Sequence, residues 1–141
     1  MLVSLHSLPE WIESRDALLA CAYQLPKGLG KAPALKPLRD ALQALIPSDL
    51  PLQKDACIIV PPGESVDVHQ HPRTYAATYY VEPGEPPVAL LVDGKRIVPE
   101  AGMVVVIPPM VAHGIEQNTG DRDRVSFAIL VGDDPKRLNI E

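Results

Sequence analysis

The sequence predicts a mainly β fold: a double-stranded β-helix (jelly roll) of about eight strands, preceded by two N-terminal helices. Three observations carry this. Before residue 50 the apolar residues recur at helical spacing. From Asp55 onward they fall instead into short runs separated by Pro, Gly and Asp. Finally, 16 Pro and 9 Gly in 141 residues imply many short elements joined by tight turns. A chain of this length is expected to form one domain, 1–141, with residues 1–50 as a helical region packed on a β-core spanning 55–131.

Ser7-Leu8-Pro9-Glu10 offers a capping hydroxyl, an early proline and an acid in the first turn. Trp11, Ile12, Leu18, Leu19, Ala22 and Tyr23 follow at helical spacing, so a helix is predicted from Pro9 to Gln24 with Trp11 as its core anchor. Pro26 to Pro33 reads as a connector, because its Gly28 and Gly30 lack the spacing of a phosphate-binding loop. A second helix is predicted from Ala34 to Leu45, with Leu35, Leu38, Leu42 and Leu45 on one stripe and Pro47 ending it. The predicted strands are Ala56–Val60, Ser65–His69, Tyr75–Glu82, Val88–Val92, Lys95–Val98, Val104–Ile107, Ala112–Gln117 and Arg124–Val131. Asp93-Gly94 between two of them is a hairpin turn signal, since both central residues of a type I′ turn need positive φ.

Net charge is −5 with no block of Lys or Arg, which argues against a grip on nucleic acid or an anionic membrane. A small-molecule or protein side-chain substrate fits better. The longest apolar stretch, Ala101 to Ala112, is interrupted by Pro108 and Pro109 and falls short of the ~20 residues a spanning helix needs. The first residues carry no positive region and meet Pro9, unlike a secretory signal, so a cytoplasmic protein is expected. The two cysteines, Cys21 and Cys57, show no framework of spacings and read as buried small apolar residues.

Two of the four histidines, His69 and His71, sit two residues apart at the end of a predicted strand, where both rings would face one point. A third, His113, follows another strand and a Pro-bearing turn. Three neutral imidazoles converging inside a barrel would bind a divalent transition metal such as iron, zinc, nickel or copper. Arg124 and Ser126 share one strand face, and a guanidinium beside a hydroxyl suits bidentate capture of a carboxylate. Asp121-Arg122-Asp123-Arg124 also fits a solvated charged turn. With three neutral ligands the metal keeps its full charge, which would draw in a dianion.

Gly63-x5-His69-x-His71 and Gly102-x5-Pro108-x4-His113 resemble the two cupin motifs. The cupin pattern would place a ligand glutamate four or five residues after His71, where Tyr75 and Ala76 stand. A wider set of residues, His69-Gln70-His71-Pro72, Tyr79-Tyr80-Val81 with Pro83, Pro99-x2-Gly102, Pro108, His113 and Arg124-Val125-Ser126, resembles a group of Fe(II)/2-oxoglutarate-dependent oxygenases that share the double-stranded β-helix. That resemblance spans Cys57 to Leu130 and leaves out the helices. It implies Fe(II), or Zn, Ni or another divalent metal, held by His69, His71 and His113. It implies 2-oxoglutarate as cosubstrate, with Arg124 and Ser126 on its far carboxylate and Tyr80 in contact with it. Dioxygen would be split by decarboxylating 2-oxoglutarate to succinate, with hydroxylation of a substrate beside the metal.

The alternatives are a three-histidine cupin dioxygenase or isomerase that does not use 2-oxoglutarate, and a non-catalytic metal- or ligand-binding module. No catalytic residue beyond the metal ligands is apparent. Tyr80 serves strand packing equally well. Asp67 is either a partner orienting one ring or a polar strand start, Glu64 and Glu82 read as solvent-facing beside turns, and His6 as a surface residue. Jelly rolls often pair through sheet edges, so a homodimer is expected by analogy of fold.

Overall fold

The computed structural model describes residues 3–7, 15–24 and 35–132. In chain order these form β1 (Ser4–Ser7), α1 (Arg15–Gln24), α2 (Lys36–Ala44), β2 (Leu52–Val60), β3 (Val66–His69), β4 (Thr74–Glu82), β5 (Leu90–Val92), β6 (Lys95–Ile97), β7 (Met103–Ile107), β8 (His113–Ile115) and β9 (Arg124–Gly132). A five-stranded sheet in the order β1-β7-β4-β9-β2 faces a four-stranded sheet in the order β3-β8-β5-β6. All the strand pairs are antiparallel. The mainly β architecture with two helices matches the expectation from sequence.

Alternation along the long strands makes the five-stranded sheet two-faced. Val125, Phe127, Ile129 and Val131 of β9, with Ala77, Tyr79 and Val81 of β4 and Val104 and Val106 of β7, turn outward to Leu18, Ala22, Leu38 and Leu42 of the helices. The intervening residues turn inward, toward the second sheet. In α2 the buried Leu38 and Leu42 lie one turn apart, Leu35 caps the start, and Pro37 sits where its missing N–H costs nothing. The helix ends at Ala44, one residue before the predicted Leu45, and the predicted start, Ala34, lies outside the described residues. The first predicted helix is present over Arg15–Gln24; its earlier residues, Trp11 among them, and the connector at 26–33 lie outside the described residues, as does the side chain of Cys21.

Asp93 and Gly94 have φ of 49° and 76° and join β5 to β6 as a two-residue hairpin. Other strand limits shift for local reasons. Strand β5 begins at Leu90 rather than Val88, because the Val88 N–H closes a turn onto the Pro83 carbonyl. Strand β2 begins earlier, at Leu52, where an irregularity in its register with β9 accommodates the extra residues. Strand β1 has no local signal in the sequence: Ser4-Leu5-His6-Ser7 pairs with Val106 to Met103 of β7, and His6 is half-buried in that strand with its Nε2 against the Ser4 hydroxyl at 2.9 Å. A partner about a hundred residues away leaves no local signature. No described helix is long and apolar enough to cross a membrane.

Candidate metal centre

His69 closes β3, His113 opens β8, and the two face each other across the antiparallel ladder. His71 lies beyond the end of β3, so its ring reaches the others through a turn and not through a shared strand face. The Met110 N–H donates to the His71 carbonyl at 3.1 Å and ties that turn to the loop leading into His113. Arg73 and Met110, two non-glycine residues with positive φ (60° and 69°), mark the sharp bends on either side. The ring centroids stand 4.9 Å (His69–His71), 4.5 Å (His69–His113) and 5.1 Å (His71–His113) apart. One ligand nitrogen from each ring lies within 4.8 Å of the other two.

Gly114 permits this approach. A Cβ there would stand 2.7 Å from the Val66 carbonyl oxygen and 3.0 Å from the Val68 backbone, so only glycine lets β3 close on β8.

The tautomers suit coordination. The Nδ1 of His69 is 2.9 Å from the Asp67 carbonyl oxygen and that of His113 is 2.9 Å from the Val111 carbonyl oxygen. If each Nδ1 donates its proton to that carbonyl, each Nε2 offers a lone pair. Burial holds the His113 imidazole below its ordinary value; the Val111 carbonyl opposes this and the neighbouring His69 adds to it. Three neutral nitrogen donors and no carboxylate among the described members of the cluster fit a divalent transition metal.

The histidines open onto a cavity of about 250 Å³ between the sheets. Small inward residues, Ala56, Ala76, Thr78, Ser126 and Ala128, create it. Tyr80 and Arg124 line it as well. Arg124 is fully buried: Nε donates to the Val88 carbonyl at 3.1 Å, Nη1 to the Ser126 hydroxyl at 3.4 Å, and the guanidinium carbon lies 4.8 Å from the Tyr80 ring centroid. Among the described residues, its Nη2 and the Tyr80 hydroxyl have no hydrogen-bond partner that meets normal geometry. Burial pushes the Tyr80 phenol up and pulls the Arg124 guanidinium down, and their proximity opposes both shifts. A buried cation and a buried hydroxyl with unused donors need an acceptor.

A family model for the cupin domain matches residues 56–131, more than half of the sequence. The chain belongs to the cupin family. Among solved structures, this cupin is similar to a prolyl-4-hydroxylase from Pseudomonas putida, at 23% identity and a TM-score of 0.67 over 94% of this chain and 88% of the other. It is similar to HygX from Streptomyces hygroscopicus, determined with nickel and 2-oxoglutarate bound, at 12% identity and a TM-score of 0.75 over 94% and 82%. It also resembles a predicted oxalate decarboxylase from Thermotoga maritima, at 27% identity and a TM-score of 0.51 over 58% and 68%. The first two likenesses establish a shared fold. No curated protein matches the sequence.

Where the cupin motif would place a fourth ligand, Tyr75 turns toward the helix-side core and Ala76 lines the cavity. Other expectations are corrected. Glu82 is buried, not solvent-facing: its carboxylate accepts from the Gly84 N–H at 3.0 Å and from Arg122 at 3.4 Å. Glu64 is exposed, as expected. The group beside the His69 ring is the Asp67 carbonyl and not its carboxylate. The charged turn ends before Arg124, since Arg122 is exposed, Asp123 accepts from the Tyr23 hydroxyl at 2.5 Å, and Arg124 points inside. Cys57 is a buried core residue whose thiol burial pushes up to about 12.

Two contributors were missed. Asn118 is buried and anchors the loop before Arg124 by donating to the Val60 and Arg122 carbonyls at 2.9 and 2.8 Å, and the turn sequence Asn118-Thr119-Gly120 could have signalled it. Lys54 lines the cavity, and only the strand register reveals this.

Proposed function

We propose that this cupin is a metal-dependent oxygenase that couples 2-oxoglutarate decarboxylation to oxidation of a second substrate. The carrying observation is the pairing of two incomplete sites on one cavity: three histidine nitrogens at one place and, deeper, the Nη2 of Arg124 and the Tyr80 hydroxyl, neither with a hydrogen-bond partner among the described residues. A five-carbon dicarboxylate supplies acceptors for both. HygX, similar in fold, is known with nickel and 2-oxoglutarate bound, which supports the reading.

In this reading His69, His71 and His113 hold Fe(II), which when bound supplies dioxygen activation, one oxygen atom going to succinate as carbon dioxide leaves and the other to the substrate. Arg124, kept in place by Val88 and Ser126, receives the far carboxylate in a dry site where a charge-assisted bond is strong. Tyr80 adds its hydroxyl and, through its ring, limits how the guanidinium can swing. The apolar inner wall excludes water from the reacting end. Ala76 leaves open the space that a glutamate side chain would fill, so the cosubstrate keto-acid group has room at the metal.

The test is anaerobic mixing with Fe(II) and 2-oxoglutarate, which should give a weak visible charge-transfer band, followed by stoichiometric succinate release on admitting oxygen. A second reading, a three-histidine enzyme that ignores 2-oxoglutarate, draws on the likeness to the predicted oxalate decarboxylase. Under it neither signal appears.

A further inference from the structure

We infer that Asn118 is a positioning residue that fixes the span between the histidines and Arg124, and thereby the length of the dicarboxylate the cavity accepts; this rests on the function proposed above. Asn118 lies on the segment that runs from β8, which opens with His113, to β9, which opens with Arg124. It is 1% exposed, and each of its polar atoms is engaged. Its main chain holds the turn that leads into β3 and His69: its N–H donates to the Glu64 carbonyl at 2.9 Å, and its carbonyl accepts from the Gly63 N–H at 2.7 Å. Its side chain holds the Arg124 half. Nδ2 donates to the carbonyl of Val60, the residue paired with Arg124 between β2 and β9, and to that of Arg122, just upstream of Arg124. Oδ1 accepts from the Gly120 N–H at 3.0 Å.

The tip of the Arg124 side chain is held by the same group of turns. Its Nε donates to the Val88 carbonyl, and the turn that presents this carbonyl is closed by the Val88 N–H on the Pro83 carbonyl at 2.9 Å. Gly120 lies so close to that turn that a Cβ there would collide with the Glu85 carbonyl oxygen. The Glu82 carboxylate adds a second tie, accepting from the Gly84 N–H on one side and from Arg122 on the other. Both the root and the tip of Arg124 are therefore fixed by turns that Asn118 and Gly120 join. Hydrogen-bond distances vary over only ~0.5 Å, less than the length of one methylene, so a rigid separation between metal and guanidinium discriminates chain length and a loosened one does not. Asn118 is not among the residues lining the cavity, so its effect reaches the ligand through Arg124.

The test is calorimetry on the full protein loaded with Zn(II), as wild type, Asn118→Ala and Asn118→Ser. Three ligands are titrated: 2-oxoglutarate, 2-oxoadipate, which is one methylene longer, and 2-oxopentanoate, which lacks the far carboxylate. Wild type should bind 2-oxoglutarate at least a hundredfold more tightly than 2-oxopentanoate and at least tenfold more tightly than 2-oxoadipate. Asn118→Ala should lower the first ratio about tenfold and bring 2-oxoadipate to within about threefold of 2-oxoglutarate. Its affinities for Zn(II) and 2-oxopentanoate should stay within about threefold of wild type, because the main-chain bonds to Gly63 and Glu64 persist. Asn118→Ser keeps a hydroxyl that can donate to one of the two carbonyls, so its ratios should fall between the others; it also serves if thermal melting shows that Asn118→Ala does not fold. A merely structural role would weaken all three ligands and Zn(II) together. Ratios unchanged from wild type in a folded variant, or uniform weakening, overturn the assignment of Asn118 and leave the proposed function standing. A wild type that binds 2-oxoglutarate no better than 2-oxopentanoate instead removes the proposed function, and this inference with it.

Discussion

Replacing Arg124 with Met should leave the ligand-free protein about as stable as before while removing its response to 2-oxoglutarate. The guanidinium makes one good charged hydrogen bond, to Val88 at 3.1 Å, one long contact to Ser126 at 3.4 Å, and a ring contact with Tyr80. Losing these costs about 2 to 4 kcal/mol, including the Val88 carbonyl left without its donor. Against this stands the desolvation of a cation that no described carboxylate pairs with, of order several kcal/mol, which Met does not incur. The two are of similar size, so the melting temperature of the metal-free variant should fall no more than ~3 °C below wild type, or rise. Binding behaves differently. Two charge-assisted bonds to a carboxylate contribute about 3 to 5 kcal/mol together, so affinity for 2-oxoglutarate should drop at least a hundredfold. At a ligand concentration a hundred times the wild-type Kd, the wild type gains about 2.7 kcal/mol and the variant almost nothing. Differential scanning fluorimetry with Zn(II), with and without 2-oxoglutarate, reads both effects. A variant that melts far lower without ligand, yet still shifts with it, would mean that Arg124 is a structural cation and that the dianion binds elsewhere.

Gly114→Ala forces a methyl group against the Val66 carbonyl and should weaken Zn(II) at least tenfold by parting His69 from His113; an unchanged metal affinity in a folded variant refutes that account of Gly114. Single alanine substitutions of His69, His71 and His113 should each cost at least a hundredfold in Zn(II) affinity, and chelation of the loaded wild type should lower its melting temperature, whereas a variant that keeps full affinity would remove that histidine from the site. The Cys57 thiol rises to about 12 in the folded state from an unfolded value near ~8.5, so its stabilising effect is complete below pH ~8.5 and is lost as pH climbs toward 12. Urea midpoints at pH 8 and pH 10 should therefore drop more for wild type than for Cys57→Ala, and parallel drops would contradict the burial of that thiol.

The sheet half of the fold was legible because its signals are local. Apolar runs bounded by Pro and Gly place β2 to β9 to within a few residues, and Asp93-Gly94 needs only its own backbone to specify a turn. The three histidines were legible from spacing, although the route by which His71 joins the others was not, since it depends on a hydrogen bond from Met110, many residues away. Strand β1 and the burial of Glu82 were hidden for the same reason: each depends on partners chosen by the tertiary fold, namely β7 for the first and Arg122 with the Gly84 amide for the second. Lys54 was invisible as a cavity residue because whether a strand position faces in or out is settled by register, and an irregularity between Leu52 and Lys54 sets that register.

Strand β9 shows how stability and chemistry are kept apart in this cupin. Its outward residues, Val125, Phe127, Ile129 and Val131, are almost fully buried against the helices and supply the apolar contacts that hold the sheet. Its inward residues, Arg124, Ser126, Ala128 and Leu130, line the cavity. The inward side chains are polar or small over most of their length and leave space that a tighter core would fill, so they contribute less to stability. Phe127→Ala should thus cost about 3 to 5 kcal/mol while leaving the cavity walls chemically intact. Changes at Ala128 should alter which ligands fit at little cost in stability until the added volume exceeds the space available. One strand can serve both purposes because the two-residue period assigns each to its own face, with the helices covering one and the second sheet enclosing the other.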